Sequence, residues 1–182
     1  MPQPPVTLMS IFSGWDGYQQ SLVSAIASLT PEQLTHRLAP QAPSAGSVAA
    51  HIAFGRIGWF AQMGAPGAAE LLAEVAPWHP WEEVDPRFEE NQGELLALLE
   101  KSWLMVEAAL NAWPVEDLAA SFRLHYNGKL RETPRQWAIW RVMAHDIHHG
   151  GQITILLAAQ GIFPADLGDE GGHIIEPPAV QD

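Results

Sequence analysis

A chain of 182 residues, 47% of them hydrophobic, has the size of one ordinary domain and enough apolar material to bury a core. Nine Lys and Arg stand against 21 Asp and Glu, a formal charge of −12 that repels nucleic-acid phosphates and anionic membrane surfaces. The absence of cysteine excludes disulfides, thiolate metal sites and a cysteine nucleophile together, and leaves His, Asp and Glu as metal ligands. No uncharged apolar run approaches membrane-spanning length, and the first basic residue is Arg37, so no basic stretch opens a signal peptide. The expected location is the cytoplasm, with neither nucleic acid nor membrane as partner.

After a Pro-rich lead-in over 1–7, the apolar positions Leu8, Phe12, Trp15, Tyr18, Leu22, Ile26 and Leu29 recur at three- and four-residue steps, which predicts a first helix over 8–28. Thr30-Pro31-Glu32-Gln33 pairs an N-cap with proline at N1 and glutamine at N3, the start of a short helical turn. After a loop from Pro40 to Gly46, Ser47 is placed to cap a second long helix. That helix carries Val48, His51, Ile52, Gly55 and Trp59 on one stripe and ends near Met63. Gly64 to Pro86 reads as a long connection with room for one short helix at 68–75, and Asp85-Pro86 as the next cap. Leu95, Leu99, Trp103, Val106, Leu110 and their neighbours mark a third helix over 87–112, stopped by Pro114.

Asn127-Gly128 suits a tight hairpin, and a short ribbon or an irregular loop fits 121–131 equally. Thr133-Pro134-Arg135-Gln136 repeats the capping box, and a fourth helix follows to Gln160, with Gly161 as its stop. Apolar residues (Trp137, Trp140, Ile147, Ile153, Leu156 and Leu157) lie all round it, as on a helix buried on most sides. Residues 162–182 read as an irregular tail. The expectation is a single domain over 1–182, an all-α four-helix bundle whose long crossover connections let neighbouring helices run parallel.

The chemistry concentrates in His145-Asp146-Ile147-His148-His149. Residues four apart stand on one helical face, so His145 and His149 can offer imidazole nitrogens to one ion, while His148 points about 100° away from His149. Two solvated histidines are the plain alternative. His51 is the candidate third ligand, because an imidazole on the apolar stripe of the second long helix needs a partner; a backbone carbonyl would also serve. Three histidines from two helices would leave open coordination positions, the layout of a catalytic rather than a structural site. His36, His79 and His173 fall in loops, and His125 precedes the fourth helix where it can reach over the metal. Asp146 cannot share the metal face and is left to outer hydrogen bonding or solvation. Arg141, four before His145, and Gln152, three after His149, can line a pocket or make structural hydrogen bonds.

With SVAAHIAF in the second long helix, HDIHHGGQI in the fourth and a TPEQL turn, nearly the whole chain resembles the DinB/YfiT-like superfamily of metal-dependent helical-bundle proteins. The resemblance implies that His51, His145 and His149 hold a divalent ion such as zinc or nickel. Gly150 stands where such proteins usually carry Arg after the last histidine. Part of the superfamily consists of S-transferases that use low-molecular-weight bacterial thiols, and other members are described as metal-dependent hydrolases. The resemblance therefore implies a metalloenzyme that passes a small thiol to a small electrophilic substrate. A hydrolase and a non-catalytic, metal-binding stress-response bundle are the alternatives. No carboxylate stands at a fixed spacing from the histidines as HExxH would provide, so the hydrolase lacks a general base. The resemblance and the excess of Trp together lead us to expect a homodimer.

Overall fold

A computed structural model describes residues 6–75, 86–164 and Leu167. The described chain is mostly helical, with one two-stranded antiparallel hairpin. The first long helix is broken where one continuous helix was expected. α1 (Leu8–Ile11) is closed by a Thr7–Ser10 capping box, and α2 (Trp15–Ala27) starts afresh after Gly14. Gly14 sits at φ 94°, a left-handed conformation that a residue with a side chain rarely adopts, so the chain turns there. α3 (Pro31–Thr35) carries the Thr30–Gln33 capping box that its sequence predicts.

α4 (Ala45–Gln62) is capped by Ser44, not Ser47. Ser47 is its third residue, and its hydroxyl accepts from the Ser44 backbone N–H while the Ser44 hydroxyl accepts from the Ser47 N–H. Two serines thus complete a reciprocal box, and the helix gains an extra turn. α5 (Ala68–Val75) occupies the span expected of a short helix. The expected helix over 87–112 is divided into α6 (Pro86–Glu90) and α7 (Gln92–Ala112) at Asn91, whose side chain caps α7 by accepting from the Glu94 N–H. The Asp85 cap lies outside the described residues.

A 3₁₀ turn (Val115–Ala119) leads into β1 (Ser121–Tyr126) and β2 (Lys129–Pro134). They are joined by Asn127 and Gly128, both at positive φ, the two-residue turn whose twist matches a hairpin. The predicted Thr133–Gln136 capping box does not form, because Thr133 is paired in β2 opposite Phe122 and α8 (Arg135–Ala158) starts after Pro134 without a side-chain cap. Gly161 at φ 75° turns the chain out of α8, and Ile162 N–H donates to the Leu157 carbonyl, a bond that terminates helices. Of the expected tail, residues 162–164 are irregular and Leu167 is buried; the rest lies outside the described residues.

The helix surrounded on most sides is α4, not α8. α4 packs mainly against α7 and α8, and α2 lies against α7. Small residues at Ala45, Ala49, Ala50, Ala53 and Gly55 let its neighbours approach closely. α8 instead leaves Trp137, Trp140, Ile147 and Ile155 exposed. No helix among the described residues is long and apolar enough to cross a membrane.

Candidate metal centre

His51 projects from α4, and His145 and His149 from consecutive turns of α8. The structure brings the three rings together: their centroids are 4.9 Å apart for His51–His145, 4.7 Å for His51–His149 and 4.3 Å for His145–His149. One ligand nitrogen from each lies within 4.8 Å of the others. The Nε2 atoms of His51 and His145 are 3.1 Å apart. Two nitrogens of a tetrahedral zinc site, each at ~2.0–2.1 Å from the ion, stand roughly 3.3 Å apart, so the pair already has the needed spacing.

The close approach of α4 and α8 depends on Gly55. A Cβ there would lie 2.7 Å from His145 Cε1, so the imidazole edge occupies the space that a side chain would need. Gly55 thus belongs to the site by what it lacks. His149 is oriented from its far side, where its Nδ1 is 2.7 Å from the Gln152 side-chain oxygen. That oxygen can only accept, so Nδ1 carries the proton and the Nε2 lone pair remains for a cation.

All three rings are partly buried. Burial, reinforced by the neighbouring His145, lowers His51 and His149 from the ordinary 6.5 to about 4. At neutral pH both are therefore uncharged, the form that binds metal. In the unfolded chain the same rings take up protons near pH 6.5. Between those values the folded state binds fewer protons, so acid favours unfolding and stability is lost as pH falls from about 6.5 towards 4. We expect the metal-free protein's Tm to drop over this window more steeply than that of a His51→Gln/His149→Gln variant. Parallel Tm–pH curves would contradict the assignment.

Of the other candidates, His148 is exposed and outside the three-histidine group. His125 is an exposed residue of β1, opposite Leu130, and is not in the group. His36 is exposed at the end of α3, and His79 and His173 lie outside the described residues. Gln152 proves to be a hydrogen-bond partner of the site, and Arg141 is half-buried with no hydrogen bond or ion pair to any described residue.

Asp146 is neither solvated nor surface-bound: it is fully buried and accepts from Arg56 Nε at 2.7 Å and Trp15 Nε1 at 2.8 Å. Arg56, itself fully buried, also donates to the Gln19 side chain at 2.6 Å. Arg56 is the residue that sequence reasoning missed, although a lone arginine inside the apolar run from Ile52 to Phe60 is a signal of a buried partner.

The histidine rows continue along both helices. His149, His145, Arg141 and Trp137 follow at four-residue intervals on α8, as do His51, Gly55 and Trp59 on α4. The rows meet again at Trp59 and Trp137, whose rings are 5.8 Å apart, and Tyr126 of β1 completes an aromatic triangle at 5.9 and 6.0 Å. Beside it a cavity of about 430 Å³ is lined by Leu124, Tyr126, Arg131 and Trp137 among others.

No curated protein matches the chain. A solved structure of a DinB-like protein from Bacillus cereus is similar over 85% of this chain and 93% of its own, with a TM-score of 0.58 and 21% identity, a likeness of fold. The family model described as the DinB superfamily matches residues 15–153, which spans α2 through most of α8 and includes all three histidines, and the chain therefore belongs to the DinB superfamily.

Proposed function

We propose that His51, His145 and His149 hold one divalent cation and that the protein is a metal-dependent transferase that passes a small thiol to an electrophilic substrate. The observation that carries this reading is the donor set itself: three imidazoles converge from two helices, with no carboxylate in the group among the described residues. Such a set leaves coordination positions open and the cation's charge uncompensated. A cation held there, zinc or nickel by the nature of the ligands, would supply Lewis acidity to a thiol or water reaching it. Since the chain has no cysteine, the sulfur nucleophile must arrive with a substrate. The thiol proton passes to solvent, sulfur bonds to the electrophilic carbon, and the leaving group departs with the electrons of its bond.

Arg141, one turn before His145, is placed to receive an anionic group of either reactant, and the aromatic triangle at Trp59, Tyr126 and Trp137 to receive an apolar part. A hydrolase would require a general base, and the carboxylate next to a ligand in sequence, Asp146, is engaged by Arg56 and Trp15. The test is a panel of bacterial thiols with a chromogenic electrophile, given to metal-loaded, metal-free and His145→Ala protein. Conjugation by the loaded wild type alone is expected. Equal rates in all three would exclude the metal site as catalyst; ester or amide hydrolysis by the loaded form alone would favour the hydrolase, and metal binding without turnover the non-catalytic bundle.

The expected four-helix bundle is our reading of α2, α4, α7 and α8 around the shared core. We also read the exposed face of α8 as a homodimer surface. Trp140, Ile147 and Ile155 are 57%, 48% and 66% exposed and fall on one helical row that carries no charged side chain. In a chain of net charge −12, an uncharged face is where two copies can meet without repulsion. Sedimentation should give about twice 19.9 kDa for the wild type and a monomer for Ile147→Glu/Ile155→Glu; a monomeric wild type at micromolar concentration would refute the dimer.

A further inference from the structure

We propose that Asp146 is the positioning residue for His145, accepting a hydrogen bond from its Nδ1–H so that Nε2 is presented to the cation. This rests on the metal reading above and adds the device that sets the ligand's tautomer. His145 Nε2 faces His51 Nε2 at 3.1 Å, so Nδ1 must carry the proton whenever Nε2 binds a cation. That Nδ1 is buried and has no hydrogen-bond partner among the described residues. So is Asp146 Oδ1, and the two atoms are 3.8 Å apart. A buried donor and a buried acceptor, each without a partner and each next to the other, are one hydrogen bond held slightly open. Sites of this kind commonly tighten only when their ligand is bound.

The carboxylate cannot turn away to satisfy itself elsewhere. Its other oxygen, Oδ2, is held by both Arg56 Nε and Trp15 Nε1, and both Arg56 and Asp146 are fully buried. Arg56 is fixed in turn by Gln19, whose amide donates to the Leu99 carbonyl of α7. α2 and α4 thus hold one oxygen of Asp146, with α7 bracing Gln19 behind them, and aim the other at the ligand ring. Gly55 bounds the same ring at Cε1, so its plane has little freedom to find a different acceptor. A buried ion pair of this type contributes little net stability, which leaves orientation of the ligand as its use. A negative oxygen on Nδ1–H also makes Nε2 a stronger donor.

The test uses the full-length protein loaded with Zn²⁺. Long-range proton–nitrogen NMR of the wild type should show His145 protonated on Nδ1, with a low-field, slowly exchanging ring proton. Protonation on Nε2, or a ring proton that exchanges as freely as that of exposed His148, would overturn the proposal, and this measurement needs no variant. The paired variant is Arg56→Met/Asp146→Asn, which removes both charges and so leaves no buried ion unpaired. Trp15 still requires an acceptor, so the Asn oxygen faces Trp15 and its amide N–H₂ faces His145. Zinc affinity should fall by roughly 10- to 100-fold, the usual effect of losing an outer hydrogen-bond partner. Unchanged affinity in the folded variant would overturn the positioning role while leaving the metal reading intact. A wild type that binds no zinc would overturn both.

Discussion

Replacing His149 with alanine is expected to abolish stoichiometric metal binding, whereas replacing its neighbour His148 should leave it largely intact. His149 supplies one of three converging nitrogens, and no fourth side chain of the described residues joins the group. Two imidazoles remaining from different helices make a much weaker site, because each lost ligand removes a bond whose entropic cost the fold has already met. His148 precedes it by one residue and points to solvent, with its ring 5.0 Å from that of His149 but outside the cluster. Metal content measured after gel filtration should be about one equivalent for wild type and His148→Ala, and near zero for His149→Ala. The stability readout is independent of it. Zinc at a thousand times its Kd would stabilise the wild type by about 4 kcal/mol and raise Tm, with no such rise for His149→Ala. Equal losses for both variants would overturn the ligand assignment.

Much of this site is legible in the amino-acid sequence. The i, i+4 pair at His145 and His149 follows from helix geometry alone, and His51 stands out as an imidazole on an apolar stripe. What the sequence does not specify is which acceptors the far nitrogens of those rings use. Gln152 and Asp146 each admit a second role by spacing alone, and only the folded positions of their neighbours decide between the two. Two of the elements that depart from expectation share one physical cause: Gly14 and Asn91 each lie in a pattern whose apolar spacing continues past a local break, and periodicity has no term for a left-handed glycine or an internal cap. Thr133 departs because a capping-box motif does not report a strand partner, and the residue pairs with Phe122 instead. The exposed side of α8 departs for a different reason. Apolar residues all round a helix report a tendency to be buried, but not which of its faces the neighbouring elements reach.

The second large effect is expected at Gly150, next to His149, where members of the superfamily usually carry Arg. Gly150 is buried, and a Cβ there would lie 1.5 Å from the Tyr18 hydroxyl oxygen and 2.7 Å from Tyr18 Cζ. The phenol of α2 therefore fills the volume that a side chain at this position would take. It is a rigid ring, 3% exposed, and its hydroxyl donates to the Asp146 carbonyl at 3.0 Å, so it has no cheap way to withdraw. Burial and the Asp146 charge also raise the tyrosine pKa, which keeps the hydroxyl a donor at neutral pH. Gly150→Ala should displace the ring and cost about 3 kcal/mol or more, against a helix-propensity gain of ~1 kcal/mol. In a chain of this size that is a fall in Tm of roughly 4–12 °C. Gly58→Ala is the contrast: apart from its own helix backbone and chain neighbours, no atom of the described residues lies within 4 Å of the added Cβ, so propensity acts alone and Tm should rise slightly. The cause is isolated by Tyr18→Leu/Gly150→Ala. If the clash with the phenol is what destabilises, adding Gly150→Ala to Tyr18→Leu should cost little. A penalty from Gly150→Ala as large in the Tyr18→Leu background as in the wild type would place the strain elsewhere.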